Sequence, residues 1–272
     1  MPGPPTGNVA VLHPGAMGSR VAGEIASTGR EVRWLRTGRS AQTVERARHE
    51  GLVPADSTGD LVRDAAVVLS VCPPQGALDI ARLVAAAGFA GTYVDANPVS
   101  PDVLAEIANV VGAAGAAFVD AGIVGPPPGA ARRTHLYLAG PPATVSTVAD
   151  MCAGTAITPM DLGSRVGAAS AAKQAYALYN KGRLALALVA ADLAAAHGVE
   201  AVLAAEGDRP GAEALRDLEE LRRGLGETAW RWGPEFDQIE ATLAAAGLDP
   251  AAARAVAAVF DRLGLGDVTG SA

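Results

Sequence analysis

The sequence predicts an α/β fold in two parts, a doubly wound parallel sheet followed by an all-α domain. Three observations carry this. Through roughly the first 160 residues, short β-branched runs alternate with helical stretches, the pattern of strands covered on both faces by crossover helices. From about Gly163 the strand pattern stops and long alanine- and leucine-rich helical runs replace it. The first apolar run breaks directly into a glycine-bearing turn, VAVLHPGAMG, as a strand does when it hands over to a nucleotide-binding helix. Half of the residues are hydrophobic but only 4% are aromatic, which favours close-packed helices over an all-β sandwich.

Taken in order, the predicted strands are Val9–Leu12, Glu31–Leu35, Val67–Val71, Thr92–Asp95, Ala117–Asp120 and His135–Ala139, each followed by turn residues. A helix runs from the first turn through Ser27 and stops at Gly29 before the second strand, completing a βαβ unit. In the second half, a helix over Ala168–His197 would extend about 45 Å at 1.5 Å per residue, with Gly198 as its stop. Further helices are predicted at Gly211–Leu225, at Glu235–Ala246 after Pro234, and at Pro250–Leu263 with Asp249 as cap. The expected division is 8–163 for the sheet domain and 164–272 for the helical one.

The formal charge of −7 argues against nucleic-acid or membrane-surface partners, which select basic faces, and leaves a small molecule as the expected ligand. Cys72 and Cys152 lack both disulfide-framework and metal-ligand spacing, so no metal site is expected and a reducing, cytoplasmic setting is. The opening MPGPPTGN has no basic segment followed by an apolar core and reads as a tail, and Asp192 interrupts the longest alanine-rich stretch.

In a GxGxxG turn the first glycine permits the bend, the second lets backbone amides approach a pyrophosphate, and the third lets helix pack on strand. Here Gly15 and Gly18 fill the second and third seats around Ala16 and Met17, His13 fills the first, and Pro14 removes one backbone donor. The alternative is a plain turn in an α/β protein. After the second strand the chain reads LRTGRSAQT, offering Arg36, Thr37, Arg39 and Ser40 and no carboxylate. Arginine forks and hydroxyls suit the 2′-phosphate of NADP, so NADPH is expected over NADH. Cys72 and Pro73 after the third of these strands, and Asn97 after the fourth, are expected at the cofactor cleft, Asn97 also near substrate. Trp230 and Trp232 are expected to pack.

The segments GAMG, SVCPP, YVDANPVSP, FVDAGIVGPPP, LYLAGP and GAASAAKQAYALYNKG occur in that order. Together they resemble the β-hydroxyacid dehydrogenase superfamily, which includes 6-phosphogluconate dehydrogenase, 3-hydroxyisobutyrate dehydrogenase and the imine reductases. AWRWGPEFDQIEATLAAAGL extends the resemblance towards its bacterial branch with a DUF1932 C-terminal domain. The resemblance implies an N-terminal Rossmann domain, a helical C-terminal domain joined by a long interdomain helix, and a homodimer. It further implies that Lys173 on that helix is the acid/base, with Tyr176 and Asn180 on the same helical face.

Two departures accompany it. Ala177 stands where the family has an asparagine, and DAGIVGP replaces DxxVSGG, so Ile123, Val124 and Gly125 form an expected substrate segment lacking the carboxylate-binding serine. The expected activity is hydride transfer between nicotinamide C4 and a small hydroxy or keto acid. Reduction of C=N bonds with Tyr176 or Lys173 as donor is the rival on the same fold, and a non-catalytic NADP(H)-binding module is the rival from another class.

Overall fold

The structure, a computed structural model, describes residues 7–129, 132–226, 229 and 232–265. It divides into two compact units, one ending at Lys173 and the other beginning at Gln174. The expected tail at 1–6 and Trp230 lie outside the described residues.

In the first unit the strands are β1 (Asn8–Val11), β2 (Val32–Leu35), β3 (Val53–Ala55), β4 (Ala65–Ser70), β5 (Thr92–Asp95), β6 (Ala117–Val124), β7 (Thr134–Ala139) and β8 (Ile157–Asp161). They form one eight-stranded sheet in the order β3-β2-β1-β4-β5-β6-β7-β8. Every pairing is parallel except β6 with β7, which is antiparallel. Strand order reverses between β1 and β4, and ligands of open α/β sheets bind outside the carboxyl ends of the strands at such a switch point.

Successive side chains of β1 serve opposite faces. Val9 and Val11 join a core with α1 (Ala16–Ala26), α2 (Ala41–His49) and α6 (Pro142–Met151). Ala10 joins a second core with α3 (Thr58–Val62), α4 (Ala77–Ala86) and α5 (Pro101–Ala113). This two-sided burial is why the strands read as near-continuous apolar runs.

Sequence and structure differ at identifiable places. β6 continues to Val124 rather than ending at Asp120, because residues 120–124 pair with β7. β3 and β8 escape prediction because each contains a proline, Pro54 and Pro159, and both lie at sheet edges where a missing N–H leaves no ladder bond unmade.

The second unit takes up α7 (Ala168–His197) beyond Lys173, followed by α8 (Glu200–Ala205), α9 (Leu218–Gly226), α10 (Gly233–Ala245) and α11 (Ala251–Leu265). Its core collects Ala177, Ala185, Leu188, Leu225, Phe236, Ile239 and Phe260. Trp232 packs edge-on against Phe260 with ring centroids 4.8 Å apart. The single helix expected over Gly211–Leu225 is broken, because Asp217 Oδ1 accepts the Glu220 amide at 2.8 Å and starts α9 afresh. Among the described residues no helix is long and apolar enough to cross a membrane.

Candidate active site

The turn between β1 and α1 is built around His13. Its carbonyl accepts the Gly15 amide at 2.8 Å, and a Cβ on Gly18 would lie 2.6 Å from that same oxygen. Gly18 therefore keeps the packing role of the third glycine. Among the described residues nothing lies within 4 Å of where a Cβ on Gly15 would be, so the second seat stays open to an approaching ligand. Gly15 is the N-cap of α1, whose first amides, as in any helix, have no intrahelical acceptor and favour an anion. Ala16 is exposed, Met17 packs against the core and Pro14 is buried. An open seat over a helix N-terminus fits the pyrophosphate of a dinucleotide.

The four residues after β2 separate into two groups. Arg36 donates from Nε and Nη2 to Asp56 Oδ1 at 3.1 and 2.5 Å, and Thr37 Oγ1 donates to the Asp56 carbonyl at 2.6 Å. A carboxylate is thus present at this edge, supplied from just beyond β3 rather than from the segment after β2. Ser40 caps α2 by accepting the Thr43 amide. Arg39 turns the other way, donating from Nε to the Leu35 carbonyl at 3.3 Å and from Nη1 to His13 Nε2. It is half-buried, and among the described residues no carboxylate pairs with it. Burial lowers the Arg39 pKa, partly opposed by the nearby Cys72. Burial and then Arg39 push His13 down to about 4, so its ring is neutral at pH 7.

Beyond β4 and β5 the polar groups tie strands together. Asn97 is fully buried, its Nδ2 donating to Ser70 Oγ at 2.8 Å and its Oδ1 accepting the Cys72 amide at 2.6 Å. The Asn97 amide in turn donates to Asp95 Oδ1 at 2.9 Å. Asp95 is wholly buried, and burial pushes its pKa to about 7. The Cys72 thiol is raised to about 12 by burial and by Asp95, which makes it inert as a nucleophile; Pro73 beside it is exposed.

The middle of β6 holds the start of α7. Asp120 accepts the Gly167 and Ala169 amides at 2.9 Å, the Ser170 amide at 3.2 Å and the Ser170 hydroxyl at 2.6 Å. Burial raises the Asp120 carboxyl despite these four donors. Strand register aligns Val11 with Leu69, Ser70 with Asp95, and Asp95 with Asp120, so Gly122 lies past the carboxyl ends of β1, β4 and β5. A Cβ on Gly122 would meet both the Ala169 carbonyl and Lys173 Cβ at 2.8 Å. Only a glycine lets α7 approach here, and Lys173 is brought down over it. Ile123 and Val124 are buried in β6, and Gly125 follows at φ +124°.

Asp120 and Gly122 are the residues that reading the sequence missed. Asp120 ends the strand expected over Ala117–Asp120 and Gly122 immediately precedes the expected substrate segment, and neither position signals in sequence that it holds a helix. In the second unit, Tyr176 is 45% exposed and Asn180 Oδ1 accepts the Arg183 guanidinium at 3.1 and 3.2 Å. The chain's other lysine, Lys181, pairs with Glu235 and lies 4.5 Å over the Trp232 ring.

Residues 8–160 match the family described as the NAD binding domain of 6-phosphogluconate dehydrogenase, and residues 194–263 match a domain of unknown function, DUF1932. Among solved structures, the chain is similar to the conserved protein MTH1747, described as of unknown function and structurally similar to 3-hydroxyacid dehydrogenases. The identity is 26% and the TM-score 0.68, over 97% of this chain and 100% of that one. It is similar to Mycobacterium tuberculosis 3-hydroxyisobutyrate dehydrogenase with L-serine at 18% identity and TM-score 0.75, over 96% and 94% of the two chains. A reductive aminase from Aspergillus terreus in complex with NADPH and ethyl levulinate aligns at 19% identity and TM-score 0.57, over 94% and 93%. These last two likenesses show a shared fold. No curated protein matches the sequence.

Proposed function

The chain belongs to the family of the NAD binding domain of 6-phosphogluconate dehydrogenase, and from that premise we propose that it is an NADPH-dependent oxidoreductase acting on a small hydroxy or keto acid. Gly15, Ala16, Met17 and Gly18 cradle the pyrophosphate. Arg36, Thr37, Arg39 and Ser40 form the edge that takes the 2′-phosphate, and Cys72 and Pro73 line the cleft while Asn97 holds β4 to β5. NADPH, when bound, supplies the hydride. Lys173 donates a proton to the oxygen that gains negative charge, and in the reverse direction its neutral amine takes the hydroxyl proton. Ile123, Val124 and Gly125 are assigned to the substrate, and Tyr176 and Asn180 follow three and seven residues beyond Lys173 on α7.

The observation that carries this reading is the close contact of Lys173 with Gly122, past the carboxyl ends of the central strands where dinucleotide ligands bind. Val124 favours a second reading. Its buried isopropyl group has no donor for a substrate carboxylate, which suits reduction of a C=N bond with Lys173 or Tyr176 as proton donor. NADPH oxidation measured against a panel of keto acids and a panel of cyclic imines separates the two. Turnover of keto acids supports the first reading and turnover of imines the second; NADPH binding with neither panel consumed overturns both.

A homodimer is part of the proposal. Tyr179, Leu186 and Leu193 recur every seven residues along α7 and are 72%, 69% and 64% exposed, an apolar stripe that a second copy would cover. Cys72 and Cys152 are both free thiols, which suits a reducing, cytoplasmic setting.

A further inference from the structure

We propose that His13 is a specificity-determining residue, which holds the Arg39 guanidinium in place for the 2′-phosphate of NADP(H). This deepens the dinucleotide reading above and rests on it. The seat His13 occupies is the one a glycine fills in GxGxxG, so the residue is usually understood as a bend in the backbone. Here its side chain has a partner.

Arginine has only donors, so the contact between Arg39 Nη1 and His13 Nε2 requires Nε2 to be the acceptor. The ring proton then sits on Nδ1, a buried atom with no hydrogen-bond partner among the described residues. His13 is itself held in the backbone turn, its carbonyl bonded to the Gly15 amide and placed where only a glycine fits at position 18. Arg39 is thereby spanned between Leu35 at the end of β2 and the turn after β1. These are the two places that a nucleotide's adenosine ribose and pyrophosphate must reach at once.

The choice of a neutral acceptor matters electrostatically. A carboxylate in this seat would orient the guanidinium equally well but offset part of its charge, as Asp56 does for the exposed Arg36. Imidazole orients Arg39 and leaves the full positive charge available. Among the described residues no carboxylate pairs with Arg39, and a half-buried cation without a counter-ion favours an anionic ligand.

The test uses 2′,5′-ADP and 5′-ADP, whose affinities are measured by calorimetry on the full-length protein. His13→Gly restores the usual glycine and removes the acceptor; His13→Gln keeps an acceptor at similar reach. The expected result for His13→Gly is about tenfold weaker binding of 2′,5′-ADP, the scale of one hydrogen bond to a charged group, with 5′-ADP unchanged. His13→Gln should recover most of the loss, and adding His13→Gly to Arg39→Ala should cost nothing further. Equal losses for both compounds, or an unchanged ratio in His13→Gly, would overturn the proposal and leave the dinucleotide reading standing. A parent protein that binds neither compound would overturn both.

Discussion

Asp95 shows how a single residue links the site to a measurable pH dependence. Its carboxyl has a pKa of about 7 in the folded chain against about 3.9 when unfolded. Between those values the folded state holds the proton and the unfolded state has released it, so this group's contribution to stability falls as pH rises from about 4 to about 7. His13 works in the opposite sense. Its folded value of about 4 lies below the unfolded value of about 6.5, so its contribution rises with pH between them. Asp95→Asn removes the first effect and keeps the second, and the side-chain amide oxygen can still accept the Asn97 amide. The melting temperature of the variant relative to the parent should therefore climb between pH 4 and pH 7 and level off above. A constant difference across that range would refute the assignment. A second prediction concerns Asp56, whose carboxylate occupies Arg36. Asp56→Asn should strengthen NADPH binding about two- to fivefold, the scale of a surface ion pair, when titrated by fluorescence; weaker binding would mean that Asp56 itself contacts the nucleotide.

At the scale of elements, α7 is held by β6 through one carboxylate and one missing side chain. Asp120 collects the amides at the start of the helix, and Gly122 lets the first turn of α7 lie on the strand. Gly122→Ala would place a methyl group where two atoms already stand, at a cost of about 1–3 kcal/mol for overpacking. The expected outcome is a lower melting temperature and a larger loss in kcat than in NADPH affinity. A loss confined to NADPH affinity would contradict the role given to this contact. Elements were legible in the sequence where hydrophobic period and caps agreed. The limits of α7 match those expected, because Gly198 follows it and no proline interrupts it. The edge strands were hidden by Pro54 and Pro159, and the break before α9 by Asp217, which reads as one more charged residue on an amphipathic helix. The turn at His13–Gly18 was legible from its glycines as the handover from a strand to a helix. Its pairing with Arg39 was not, since it joins side chains 26 residues apart across two strands.

At the scale of the whole molecule, the division of labour follows the two units. The first supplies the switch point, the open seat at Gly15 and the Lys173 stem; the second supplies a helical core and an uncovered apolar stripe on α7. Leu186→Glu places a charge in the middle of that stripe. Light scattering should find the parent at twice the chain mass and the variant at the chain mass, with its helical content retained. A monomeric parent would contradict the dimer.

The central claim is that Lys173 moves the proton that accompanies hydride transfer. The most direct measurement is steady-state turnover of Lys173→Ala with the best substrate found among keto acids and cyclic imines, alongside its NADPH affinity. The expected result is an affinity within a few-fold of the parent and a kcat lower by at least about a hundredfold, the scale of a lost acid/base. Parental turnover in Lys173→Ala would contradict the account.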